Sequence, residues 1–394
     1  MAGDLTLALR TAQSGLLTNQ AALDAVANNI ANVNTVGYSR KVVQLEQRVV
    51  SGSGAGVQLS EVNRSIDEGL LKSVRKAASD LRELDVQESY WERIQQQFGQ
   101  PGENTSISHI IAEYQAALES LAANPSDTFE LSETVRQGYE IAIKFQDMTD
   151  EIQTLRQIAD AEIGDVVEII NARASEIAQL NDDIVRNGAV NADVTDLKDQ
   201  RDLKIDEMAE LIDISYFYRS DGQVVIFTTA GRTLVDNENP GVTHAVASTV
   251  VPTATHSGGG FSPIYVGAAI GSNDMTTEIR GGKLAGLIDL RDDVLPDLQY
   301  QIDELATELR DAINQVHNRG TAFPGLTSYS GTREFVDSGT STITWGGTTD
   351  TRLVVTDASG DQVGTTTMRT LLGTNTGTID AVAGAIQTYL ATTL

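Results

Sequence analysis

The sequence predicts an α+β multidomain protein in which a long-helix rod, a coiled coil or bundle, carries an inserted strand-rich outer domain. Two observations carry this. Apolar residues recur every seven positions through the helical stretches, and near residue 212 and again beyond Gly320 the chain turns to alternating, Thr-, Gly- and Val-rich segments. Between those two segments a helical pattern returns, so the first strand-rich part reads as an insertion.

The first element shows the rhythm clearly. Leu9, Leu16, Leu23 and Ile30 share one phase, and Ala12, Val26 and Val33 supply the position three residues later. A narrow apolar seam of this kind is the mark of a helix that packs along another helix. An amphipathic helix buried in its own domain and a seam between molecules both fit; Asn19, in the second phase, could set register against a partner. The seam closes in NNIANVNTVGYSR, residues 28–40, where repeated Asn and Gly37 supply caps and tolerate unusual backbone angles. Residues 41–59 then fit a strand or extended arm around the flexible SGSGAG stretch.

A second helix is expected over 65–98, with Leu70, Ala77, Leu84, Trp91 and Phe98 seven apart and its aromatics packed in a core. QPGEN interrupts it, a shorter helix fits 107–121, and ANPSD makes a turn. From Phe129 the helical pattern runs for more than fifty residues, and Ile163, Ile170, Ile177 and Ile184 are positioned to seal a long seam against the preceding helices. Length of this order is ordinary in a rod or bundle and unusual in a compact enzyme. A helix ending near Ile212 follows, then a hairpin over 216–226 and 233–235, a helix over 284–316, strands over 341–345 and 351–356, and a short helix over 379–390. The expected division is 1–60 for the entry helix and arm, 61–212 with 282–318 for the rod, and 213–281 with 319–394 for the outer domain.

Composition narrows the function. With 28 basic against 55 acidic residues the formal charge is -27, which repels a phosphate backbone, and no local basic patch offsets it. The cysteine count is zero, so disulfides, thiolate metal sites and cysteine nucleophiles are excluded. No apolar run reaches the roughly 18 residues of a membrane span, and MAGDLTLALR lacks the basic and apolar regions of a Sec signal peptide. His109, His244, His256 and His317 form neither HExxH nor a close pair and read as surface residues; the pairs Asp182–Asp183 and Asp292–Asp293 read as solvated or salt-bridged helix positions. No phosphate loop, nucleophile elbow or dinucleotide fingerprint is present, so no catalytic, cofactor or metal residue is assigned.

Residues 28–40 closely resemble the amino-terminal signature of the axial proteins of the bacterial flagellum, the rod, hook and hook-associated proteins, with Val36 where a proline often stands. LKDQRDLKIDEMAELIDIS at 197–215, SDGQVVIFTTAGRTLVD at 220–236 and GGKLAGLIDLRDDVLPDL at 281–298 look like the hook-associated branch that joins hook to filament. The resemblance implies a non-enzymatic structural subunit, extracellular and exported unfolded by the flagellar apparatus without a Sec signal. Zero cysteine suits that route. It also implies self-association in the axis, contact with the hook protein and a second junction protein, an export chaperone, and no cofactor. Leu9, Leu16, Leu23, Val26 and Ile30 would be the axial packing seam; Asn28, Asn29, Asn32, Asn34, Gly37 and Tyr38 the signature turn; Leu84, Trp91, Ile163, Ile170, Ile177 and Ile184 the rod packing. Such proteins return to the axis through a final helix, which this chain is expected to lack, as a truncation or a natural variant. The competing classes are a cell-wall hydrolase, which would need a cleft carboxylate, and a surface adhesin binding through its Thr-rich segments.

Overall fold

A computed structural model describes residues 2–50, 53–99, 101–237, 239–317, 335–345, 350–357 and 361–393. The first two positions of the SGSGAG stretch, part of the expected outer domain around 318–334, and Leu394 lie outside them. The chain is a mixed α+β protein of long helices and separate strand-rich regions. It divides into two compact units, one of Met1–Gln97 with Met148–Tyr300 and one of Phe98–Asp147 with Gln301–Leu394. The segment 213–281, assigned by composition to an outer domain, shares the first unit with the long helices.

The first unit opens with helix α1 (Ala2–Ala31) and the antiparallel hairpin β1 (Lys41–Val50) and β2 (Ser53–Arg64). Helix α1 turns its small side to the hairpin: Ser14, Gly15, Thr18, Ala21, Ala22 and Ala25 are buried or half-buried. Close approach is the reason. Val57 donates its N–H to Ser14 Oγ at 3.3 Å, and at Gly56 (φ +102°) any Cβ would overlap that same oxygen.

Helix α2 (Glu68–Phe98) follows in the first unit as far as Gln97. The second unit takes up helix α3 (Ile107–Ala123) and the start of α4 (Thr128–Gly188), whose residues from Met148 onward belong to the first unit. There Met148, Ile152, Leu155, Ala159, Ile163, Val166, Ile170, Ala174, Ile177, Asn181 and Ile184 are all buried. The steps are of three or four residues, fours prevailing, and average 3.6, the period of an ordinary helix rather than the 3.5 of a supercoil. Each isoleucine removed from water contributes about 2 kcal/mol. Helix α5 (Thr195–Leu211) leads into the three-stranded sheet β3 (Ile214–Tyr218), β4 (Val224–Thr228) and β5 (Thr233–Val235), ordered β3-β4-β5, and then a two-stranded ladder of β6 (Val242–Thr243) with β7 (Tyr265–Val266).

The helix expected over 284–316 is α6 (Gly282–Asp289) and α7 (Leu295–His317) joined by a π-helical turn, Leu290–Val294. The extra residue per π turn keeps Leu287, Arg291 and Leu295, spaced by four, on one buried face. The turn therefore carries the guanidinium of Arg291 inward.

In the second unit Ser106 caps α3 by accepting from the His109 N–H, and Thr134 of α4 donates its hydroxyl to Ala117 O at 3.3 Å. Its strands are short pairs: β8 (Thr342–Thr344) with β11 (Thr376–Thr378), and β9 (Arg352–Thr356) with β10 (Gln362–Thr367). Helix α8 (Met368–Leu372) ends at Gly373 in the left-handed conformation, and α9 (Ile379–Thr393) follows β11. Trp345 is buried here, its Nε1 donating to Thr374 O at 3.0 Å.

Candidate functional site

The signature turn is built by asparagine. Asn29 imitates a strand partner: its Nδ2 donates to Lys41 O and its Oδ1 accepts from Lys41 N–H, both at 2.8 Å, so the end of α1 is tied to the start of β1. The same Oδ1 accepts from Tyr38 Oη at 3.0 Å. Asn32 donates through both its N–H and its Nδ2 to Asn28 O at 3.0 Å, and Thr35 N–H to Asn32 O continues the turn at 2.9 Å. Gly37 then takes φ +78°, with Leu203 of α5 only 3.4 Å from where a Cβ would stand. Val36 and Asn34 face solvent.

Beneath the turn lies a row of carboxylates on one face of α5, Asp196, Asp199, Asp202 and Asp206, at intervals of three and four. Asp199 accepts from both the N–H and the hydroxyl of Ser39 and from Arg64 Nη1 at 3.0 Å. Asp202 accepts from the same Nη1 at 2.6 Å and from Tyr218 Oη at 3.0 Å, while Asp206 accepts from Arg75 Nε at 2.6 Å and Asp196 meets Lys41 Nζ. Four carboxylates thus clip the turn, the end of β2 and helix α2 to one helix. Burial would lower the pKa of Arg64, but the charges and hydrogen bonds of Asp202 and Asp199 raise it on balance; in Arg75 the partner Asp206 does the same. Tyr218 is pushed up to about 12 by burial and by Asp202. On the other side of α5, Arg201 reaches Asn181 Oδ1 at 3.0 Å and Gly222 O at 2.7 Å, and Asn181 bonds both polar groups of Val224, fixing α4 to the sheet.

A second charged cluster is wholly enclosed. Asp160 of α4 accepts from Arg291 Nη1 at 2.6 Å, lies 3.1 Å from His244 Nε2 and accepts from the Ala247 N–H at 2.7 Å. His244, expected at the surface, is corrected: the residue as a whole is half-buried and its side chain is fully enclosed. Its partner stands 84 positions away, which no local pattern reveals. Arg156, equally buried, donates to the carbonyls of Arg291, Val251, Pro252 and Ala254. None of this converges on a nucleophile or open cleft, and among the described residues no group of three or more His, Asp and Glu could hold a metal ion. The arrangement positions backbone, and it does so with charge.

The family described as the FlgK helical domain of the flagellar hook-associated protein matches residues 91–332, and the basal body rod protein family matches 9–38. The first match covers more than half of the chain. The chain belongs to the FlgK family. Flagellar hook-associated protein 1 of Salmonella typhimurium is 28% identical over 317 residues, covering 78% of this chain and 56% of that one, and its counterpart in Bacillus subtilis is 24% identical over 355, covering 81% and 68%. The structure of the flagellar hook junction protein FlgK from Burkholderia pseudomallei shares the fold, with a TM-score of 0.52, 20% identity, and coverage of 76% of this chain and 56% of that one. The chain spans about half the length of the Salmonella relatives it matches, 56%.

In this FlgK family member the residues singled out from sequence separate into three groups. Ile163, Ile170, Ile177 and Ile184 are buried together in the first unit, and Ile184 lies under the Gly222 turn. Leu9, Leu16, Leu23, Val26 and Ile30 lie on the side of α1 away from its small-residue face, each 52–70% exposed. Leu84 and Trp91 are corrected: they are 60% and 42% exposed, because α2 buries Arg75, Ser79, Tyr90 and Ile94 instead. On that inward face Arg75 pairs with Asp206 of α5 and the Tyr90 hydroxyl reaches Glu162 of α4 at 3.4 Å. Sequence reasoning missed Asp199, Asp202, Arg64 and Arg201; the run DQRD was the available signal, since acids three apart on a helix face call for cations from elsewhere.

Proposed function

We propose that the chain is a non-enzymatic structural subunit of the flagellum that joins hook to filament by packing with neighbouring copies through α1. One observation carries this most directly: the heptad row Leu9, Leu16, Leu23 and Ile30 stays about 70% exposed because the hairpin already occupies the opposite, small-residue face of the helix. An apolar row of this length in water needs a second helix. The signature turn and its acidic helix would then hold α1 at a fixed exit angle. The names of the hook-associated relatives support the same reading. On this reading the chain works outside the cell, meets the hook protein and a second junction protein, and is escorted by an export chaperone. The layered division into entry helix, rod and outer domain remains part of the proposal.

Deleting the intact gene should leave hooks that carry no filaments, scored by electron microscopy. Retained filaments would remove the junction role. No helix among the described residues is long and apolar enough to cross a membrane.

A further inference from the structure

A cavity of about 450 Å³ opens in the first unit between the first half of α2, the end of α5 and β3. Ala209, Ile214 and Tyr216 give it apolar walls, while Lys72, Arg75, Lys76 and Arg280 bring four cations to it, in a chain whose formal charge is -27. Both carboxylates in its lining are already engaged. Asp80 accepts from Lys76 Nζ at 3.0 Å, and Asp213 accepts from the Arg280 N–H at 3.2 Å and from the Thr229 hydroxyl. Arg75 commits Nε to Asp206 and Nη2 to the Asp202 carbonyl and lies over the Tyr216 ring, 4.7 Å from its centroid, while its Nη1, Ser79 Oγ and the Tyr216 hydroxyl are each left without a hydrogen bond within the protein. Arg75 and Ser79 are each only 4% exposed. Lys72 and Arg280 reach solvent at the rim and form no ion pair among the described residues. Buried donors left without acceptors are costly and in native proteins are normally answered by a ligand, an ion or water. Surplus donors and cations set against an apolar wall complement a carboxylate attached to an apolar stem.

We infer that this cavity binds a carboxylate carried on an apolar or aromatic stem, with Arg75 and Ser79 as its buried donors and Lys72 and Arg280 as its rim cations. The carboxylate belongs either to a free small acid or to an acidic side chain flanked by apolar residues on another protein. The inference goes beyond the assembly role and stands or falls separately from it.

Calorimetric titration of the full chain tests it with 3-phenylpropanoate, its neutral amide, inorganic phosphate and a blocked Leu-Glu-Phe peptide. One site is expected for the carboxylates, with the amide and phosphate weaker by about tenfold or more. The double variant Lys72→Ala/Arg280→Ala should lose about tenfold in carboxylate affinity while keeping its unfolding midpoint, since both side chains are exposed. Ser79→Ala should weaken binding in the same direction. Tighter binding of the peptide assigns the site to a protein-borne carboxylate, and tighter binding of 3-phenylpropanoate to a free acid. Equal affinity for acid and amide, phosphate as tight as the carboxylate, an unaffected double variant, or no heat from either carboxylate would each overturn the inference.

Discussion

Asp199 and Asp160 show how much single carboxylates decide in this chain. Asp199 and Arg64 are 9% and 8% exposed, and the same carboxylate holds Ser39. Replacing it with Ala takes one of two carboxylates from Arg64, Asp202 staying at 2.6 Å, and takes the acceptor from Ser39, so urea unfolding should register a loss of about 1–3 kcal/mol; a loss below about 1 kcal/mol would show that the clip is dispensable. Asp160 gives a pH signature. Burial alone would raise its pKa, but hydrogen bonds from His244, the Ala247 N–H and Arg291 prevail and hold it below the ordinary 3.8. A lowered native pKa means that the stabilisation is complete above the unfolded value and is lost as pH falls through the native one. Wild type should therefore exceed Asp160→Asn in urea midpoint at about pH 7, with the gap closing as pH drops below about 4. A gap constant with pH would exclude the linkage.

Among the elements, the turn and the hairpin make the sharpest demands. At Gly37, φ +78° and the nearby Leu203 together oppose a branched side chain, so Gly37→Val should cost about 1–3 kcal/mol. Hydrogen exchange should speed up around residues 35–41 while amides near Ile170 keep their protection; unchanged exchange at the turn would count against the strain. Gly56→Ala should likewise loosen α1 from the hairpin, read as faster exchange at Val57, because its Cβ would overlap Ser14 Oγ. Helix existence was legible in the sequence since α4 and α7 repeat apolar residues at helical spacing over many turns. The inward face of α2 was not. Its heptad row Leu70, Leu84 and Trp91 advertised a core, whereas Arg75 and Tyr90 are what the fold buries, Arg75 against Asp206 of α5 and Tyr90 with its hydroxyl on Glu162 of α4. Pairings such as Arg75 with Asp206 and His244 with Asp160 depend on tertiary contact, and the π turn that brings Arg291 inward carries no local mark. The signature turn was legible as a turn; that it rests on the DQRD helix was not.

For the whole molecule, surface and interior should respond to mutation in opposite ways. Leu16→Asp and Leu23→Asp alter side chains that are 70% and 69% exposed, so the isolated chain should unfold within about 0.5 kcal/mol of wild type while incorporation into flagella falls sharply. Normal motility and filament attachment with both substitutions would sink the α1 packing scheme. The interior obeys a different constraint, since among the described residues the three largest fully buried side chains are Arg156, Arg201 and Arg291. A stripe of isoleucines seven apart can slip by seven residues and still match itself: Ile170 would stand where Ile163 stood, and Ile177 where Ile170 stood. The charges do not survive that slip. Val167 would replace Asp160 beside Arg291, leaving that enclosed guanidinium with Asp292 alone, and Ile163 would replace Arg156, leaving its four carbonyls without their donor. The isoleucines thus define which face of the long helix turns inward, and the buried charges index the one position along its axis at which it can lock.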